Sequence, residues 1–284
     1  MSELNAQYQL ANPTSLPSRI VRHQRRRMFD RFLAEMQLSA EHTMIDVGTT
    51  SDRDYDYSNY LEAWYPYKNR ITAAGIDDAS FLERLYPGMT FRRADGGDLP
   101  FPDRSFDFAH SSAVIEHVGS RAQQAKLLAE LWRVARRGIF ATTPNRWFPV
   151  EFHSVLPLAH WLPAPLFRGI LRRTGRSELA EEANLNLMSR SDLLRAAAMA
   201  GIPHPRTEFA RLGGWGSNLL LIAKRCGRLS TPTRPNRPPI VPLNEPPKAA
   251  NVIPAMPTKQ IFNNDRDIPL ATREKAVNRN PFRG

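Results

Sequence analysis

Three carboxylates stand at the ends of short expected strands: Asp46 near the end of Thr43 to Gly48, Asp77 after Ile71 to Ile76, and Asp95 after Thr90 to Ala94. A carboxylate at a strand end offers acceptor oxygens to hydroxyl and amine donors, and in an open α/β sheet those ends form the ligand crevice. An acid at the second strand end suits hydrogen bonds from both hydroxyls of a ribose. Capping of a following helix explains any one of these acids but not the succession. Gly48 lies two residues after Asp46, where a missing Cβ lets backbone approach a ligand closely. Thr49 and Thr50 follow with two hydroxyls. His117, just beyond the central strand, is the best-placed general base, with Glu151 and His153 second. The seven histidines show no pairing with carboxylates at helical ligand spacing, so no metal is expected.

These residues need elements to hold them. Ser18 caps an expected helix to about Gln37, with Val21, Met28, Phe29, Phe32, Leu33 and Met36 at helical spacing and Arg19, Arg22 and Arg25 to Arg27 opposite. The run from Phe106 to about Ser111 reads as a buried central strand. Ser120 and Gln123 have capping-box spacing before a helix to about Arg136, and Ser189 and Asp192 repeat the pattern before a helix ending at Gly201. Gly138 to Thr142 is a fifth strand. Arg206–Leu212 and Asn218–Lys224 then read as two strands with no helix between them, an antiparallel closing pair.

The stretch from Asp95 to Val118 runs D-x-x-x-L-P-F-x-D-x-S-F-D and then S-x-x-x-E-H-V, carried by Asp95, Leu99, Pro100, Phe101, Asp103, Ser105, Phe106, Asp107, Ser112, Glu116, His117 and Val118. It resembles the class I S-adenosylmethionine-dependent methyltransferases of the type 11-like branch, over roughly residues 43–225. That resemblance implies a Rossmann-like α/β fold: a seven-stranded, mostly parallel sheet with a reversed last strand and helices on both faces. It also implies S-adenosylmethionine as cofactor, with contacts at Asp46, Gly48, Thr49, Thr50, Asp77, Asp95, Gly96 and Ser112. Asp77 matches the ribose-binding acid, and Asp95 or its backbone meets the adenine amino group. The family's loop is acid-x-Gly-x-Gly-x-Gly, whereas here only Gly48 survives.

Composition sets the wider frame. The 284 residues are 42% hydrophobic, and one cysteine excludes an internal disulfide. No apolar stretch is long enough to span a membrane, and the first residues show no secretory pattern, so the cytoplasm is the expected setting. The net charge is +11. From Arg228 to Gly284 ten Lys or Arg stand against four Asp or Glu, so more than half of that excess lies outside residues 1–227. The same stretch holds eleven prolines and is expected to be disordered. The organisation is a flexible segment 1–17, a methyltransferase domain 18–227 and a tail 228–284. The resemblance implies that residues 146–188, within the domain, form an insertion over the acceptor side. Its large apolar groups (Trp147, Phe148, Phe152, Leu156, Leu158, Trp161, Leu162) are expected to face the core, an acceptor or a membrane surface. Asn/Asp-Pro-Pro-Tyr is absent after the fourth strand, which turns the reading from nucleic acid toward a small-molecule or lipid acceptor. Oligomeric state is not readable. Two rivals stand beside methyl transfer: a non-catalytic module on the same scaffold, and an NAD(P)-dependent oxidoreductase, which lacks its G-x-G-x-x-G.

Overall fold

The computed structural model describes residues 16–53, 55–151 and 153–225, with side chains from Ser18 onward. Phe152, the tail 228–284 and nearly all of the expected flexible N-terminus lie outside the described residues. Helix α1 (Leu16–Met36) begins two residues inside that N-terminal segment. Its stripe of Met28, Phe29, Phe32 and Met36 is buried, as the spacing predicts.

Seven strands form one sheet in the order β3-β2-β1-β4-β5-β7-β6. They are β1 (Met44–Val47), β2 (Ile71–Gly75), β3 (Thr90–Arg93), β4 (Phe106–Ser112), β5 (Ala135–Pro144), β6 (Arg206–Leu212) and β7 (Trp215–Lys224). The first five pair in parallel, while β7 is antiparallel to both β5 and β6. The chain order reverses direction at β1 and β4, the switch point where such sheets open a crevice.

Each sheet face carries its own core. On one side α1, α2 (Tyr60–Trp64) and α3 (Phe81–Leu85) bring Phe29, Phe32, Tyr60, Leu61 and Leu82 against Met44, Ile71 and Phe140. On the other, α4 (Arg121–Val134) and α6 (Arg190–Met199) bring Leu127, Leu128, Leu131 and Leu193 against Ile45, Ile139 and Leu221. Both expected capping boxes form, on Ser120–Gln123 and on Ser189–Asp192. The insertion between β5 and α6, with α5 (Ala164–Arg173), closes a small cluster of its own around Phe167, Leu171, Leu185 and Leu187.

β5 starts three residues before its expected Gly138, directly at the end of α4. Arg225 stitches that junction, donating to the carbonyls of Ala135 (3.0 Å) and Trp132 (2.7 Å). Arg136 and Arg137 flank the same point and pair with Asp107 at 3.0 and 2.8 Å.

Candidate active site

Two cavities open along the carboxyl ends of β1, β2, β3 and β4. The larger, of about 440 Å³, is lined by Gly48, Thr49 and Thr50, then Asp77, and then Asp95, Gly96 and Gly97. The smaller, of about 180 Å³, lies between α1 and the β4 end and takes Arg25, Tyr55, Tyr57, Ser112, Glu116 and His153 among its walls. Gly48, Thr50, Ala113 and His117 line both, so the cavities meet there.

The turn after β1 explains how one glycine serves where the family's loop has three. Gly48 has a φ of 101°, and a Cβ on it would lie 2.0 Å from Val114 Cγ2. Thr50 is then clamped by Asn59, whose side-chain amide donates to the Thr50 carbonyl (3.0 Å) and accepts from the Thr50 amide (2.9 Å). That reciprocal pair replaces glycine freedom with a fixed loop path. At the third strand end, Asp95 accepts from the Gly97 amide at 2.8 Å, which shapes the Gly96-Gly97 turn.

Asp46 is placed differently from the expectation. It lines neither cavity; it is buried and meets His110 Nδ1 at 2.7 Å, while His110 Nε2 meets the Tyr60 hydroxyl at 2.9 Å. Glu62 is buried beside it and reached by the Thr49 hydroxyl at 3.4 Å. Burial, reinforced by the Asp46 charge, holds the Glu62 pKa well above the usual carboxylate range. Ser112 lies on the smaller cavity rather than the larger, within 2.9 Å of the Thr142 hydroxyl.

The three residues expected to do chemistry come together. His153 Nδ1 lies 2.6 Å from Glu151 Oε1, and His153 Nε2 lies 3.1 Å from His117 Nε2. His117 Nδ1 in turn reaches the Asn184 carbonyl at 2.6 Å. Glu151 also accepts from the amides of His153 and Ser154; burial pushes its pKa up, but the His153 side-chain hydrogen bond and charge, joined by these amides, outweigh it and bring the pKa down to about 2. Burial opposes charge on both imidazoles. For His117 it prevails and the pKa falls; for His153 the Glu151 carboxylate prevails and it rises.

Among the named strand-end motif residues, several turn out to be scaffold. Arg133 of α4 donates to the carbonyls of Phe101 (2.7 Å) and Leu99 (2.9 Å) and to Asp103 (2.9 Å), gripping the Leu99-Pro100-Phe101 turn. Asp107 accepts from the Thr43 amide at 3.0 Å. Residues that sequence reasoning missed are Glu116, which accepts from the Thr143 hydroxyl at 2.9 Å, and Arg25, which donates to the Tyr57 carbonyl at 2.5 Å. Glu116 was visible as part of the E-H pair, but nothing in the sequence shows that it turns inward.

Residues 58–142 match the model of the family described as methyltransferase domain. The sheet order with its reversed last strand agrees with it. Residues 58–142 carry the methyltransferase-domain pattern, and the sheet has the class I S-adenosylmethionine-dependent methyltransferase fold. A sequence search of curated proteins returns no match. Among solved structures, the methyltransferase domain is similar to a SAM-dependent methyltransferase from Aquifex aeolicus: 16% identity, 69% of this chain and 88% of that one, TM-score 0.45. It is also similar to magnesium protoporphyrin IX methyltransferase from Synechocystis PCC 6803, solved with bound SAH: 12% identity, 76% and 90% coverage, TM-score 0.47.

The methyltransferase domain's larger cavity fits the cofactor on its own terms. Its volume is in the range of small-molecule sites. It sets the Asp77 and Asp95 carboxylates at the ends of neighbouring strands, with glycine backbone at Gly48, Gly96 and Gly97.

Proposed function

We propose that the domain transfers a methyl group from S-adenosylmethionine to a small-molecule or lipid-like acceptor held in the smaller cavity. The observation that carries this reading is the junction of the two cavities at Gly48, Thr50, Ala113 and His117. When bound, S-adenosylmethionine supplies a methyl already activated on a sulfonium for in-line displacement, so alignment of the acceptor does much of the work.

In this reading Asp77 accepts from the ribose hydroxyls, the Asp95 turn borders the adenine, and Gly48 with Thr50 forms the wall shared with the acceptor. Ile20, Val21 and Met28 of α1 give the acceptor an apolar wall, and Arg25 gives it a cation. Burial lowers the Arg25 pKa, and the carboxylates and phenols around it act in the opposite sense. An acceptor in this cavity would lie beside the His117–His153–Glu151 cluster, of which His117 and His153 line the wall. None of the insertion's described large apolar side chains lines this cavity; α1 takes the role that the sequence suggested for them.

Those side chains support a proposal about place. Trp147, Trp161 and Trp215 follow one another in ring contacts of 6.4 and 6.2 Å, and Trp147, Leu166 and Trp215 are exposed. None of the described helices is long and apolar enough to cross a membrane. A cytoplasmic enzyme touching a membrane surface through this patch would have access to a lipid-like acceptor.

Incubation of the full-length protein with labelled S-adenosylmethionine and separate polar and lipid extracts tests the reading. Label entering one small-molecule or lipid product, and lost with His117→Ala, is the expected result. Cofactor binding with no transfer to either extract would favour the non-catalytic rival.

A further inference from the structure

The meeting of His117 and His153 poses a chemical problem that proton transfer alone does not solve. The Asn184 carbonyl can only accept, so His117 Nδ1 carries hydrogen; Glu151 likewise accepts from His153 Nδ1. With both rings neutral, each imidazole therefore turns its Nε2 lone pair toward the other, at 3.1 Å. Beside them lies Glu116, fully buried, whose Oε1 is 3.9 Å from His117 Nε2 and has no hydrogen-bond partner. The three potential ligand atoms lie within 4.8 Å of one another. A proton shared between the imidazoles would satisfy the two nitrogens and leave the carboxylate oxygen orphaned. A cation satisfies all three.

We propose that Glu116, His117 and His153 bind a first-row divalent cation of the zinc class on the wall of the smaller cavity. Two imidazole nitrogens and one carboxylate oxygen form a ligand set suited to zinc and its neighbours, whereas magnesium and calcium favour oxygen throughout. Ligands on one tetrahedral zinc stand about 3.3 Å apart, given bonds of about 2.0–2.1 Å. The observed 3.1 and 3.9 Å separations lie near that value, and the third pair, within 4.8 Å, closes toward it when the cation binds. The outer partners are in place as well: Glu151 behind His153, the Asn184 carbonyl behind His117, and the Thr143 hydroxyl on the second Glu116 oxygen. Such partners fix the tautomer and ring orientation of histidine ligands.

Three protein ligands leave a coordination position unfilled, and all three line the smaller cavity. An acceptor hydroxyl or thiol could occupy that position, its proton leaving to solvent, with the imidazoles acting as ligands and not as bases. This role rests on the methyl-transfer reading; the binding of the cation does not. The sequence concealed the site because His153 lies 36 residues beyond His117.

Full-length protein freed of metal by chelator is titrated with zinc(II) by calorimetry and with cobalt(II) by visible absorption. The expected result is one equivalent of either metal, with cobalt bands of a nitrogen- and oxygen-ligated low-coordinate site. His153→Ala and His117→Ala should abolish the bands, and Glu151→Gln, which touches no metal, should weaken affinity roughly 10–100-fold. Asp77→Ala should bind cobalt as wild type does while losing cofactor affinity, so the two ideas fail separately. Wild type that takes up neither metal, or a His117→Ala/His153→Ala double variant that binds cobalt like wild type, would overturn the proposal.

Discussion

Gly48 shows how much one residue decides. Its positive φ is strained for any other L-residue, and Val114 occupies the space where a Cβ would go. Gly48→Ala should therefore lower stability by about 1–3 kcal/mol from the backbone alone. Chemical denaturation measures this, and an unchanged midpoint would show that the turn is more plastic than its geometry. The sequence made Gly48 legible, because acid-x-Gly after a short apolar run has few other uses. It made Asp46 look like a ligand for the same reason. The side chain instead turns into the sheet toward His110, and a strand's two-residue alternation cannot say which face a terminal acid will choose when both faces are buried. Glu62, which burial and Asp46 keep at a high pKa, should accept Glu62→Gln with a change of no more than about 1 kcal/mol near neutral pH. A large loss of melting temperature in that variant would show that its charge is required.

Among the elements, α4 does more than cover the sheet. Arg133 and Glu130 on it hold the loop that precedes β4: Glu130 accepts from Arg133 Nε (2.7 Å), Arg133 Nη2 (2.7 Å) and the Leu99 amide (2.8 Å). The Arg133 hydrogen bond, aided by the Leu99 amide and opposed by burial, holds the Glu130 pKa below its ordinary value. A depressed carboxylate pKa contributes stability above the unfolded value, about 4.3, and loses it as pH falls through the native value. Wild type should thus melt above Glu130→Gln near pH 7, and the two curves should converge below about pH 4. A gap independent of pH would remove the charge from the explanation. The starts of α4 and α6 were legible because Ser120 and Ser189 carry their own signatures, whereas α1 begins at Leu16 and so takes in Ser18, its expected cap; Ser120→Ala should cost about 1 kcal/mol. The start of β5 was not, because strand pairing to β4 and β7 overrides the helical pattern that runs on through Ala135.

At the scale of the whole molecule, the reversal of the sheet at β1 and β4 creates one crevice, and α1 with the insertion divides it. The order of strands could be inferred from the motif and from the two closing strands that follow without a helix between them. The division could not. It depends on His153 reaching across to His117, and on α1 offering Arg25 and Met28 to the smaller cavity, contacts between residues far apart in the chain. Methyl transfer here requires the larger cavity to be the cofactor site. Calorimetric titration of S-adenosylmethionine into wild type, Asp77→Ala and His153→Ala tests it most directly. One equivalent should bind wild type, Asp77→Ala should weaken that binding by about 1–3 kcal/mol through ribose donors left unpaired, and His153→Ala, which lines only the smaller cavity, should leave it nearly unchanged. No binding by folded wild-type protein, or equal affinity in Asp77→Ala, would contradict it.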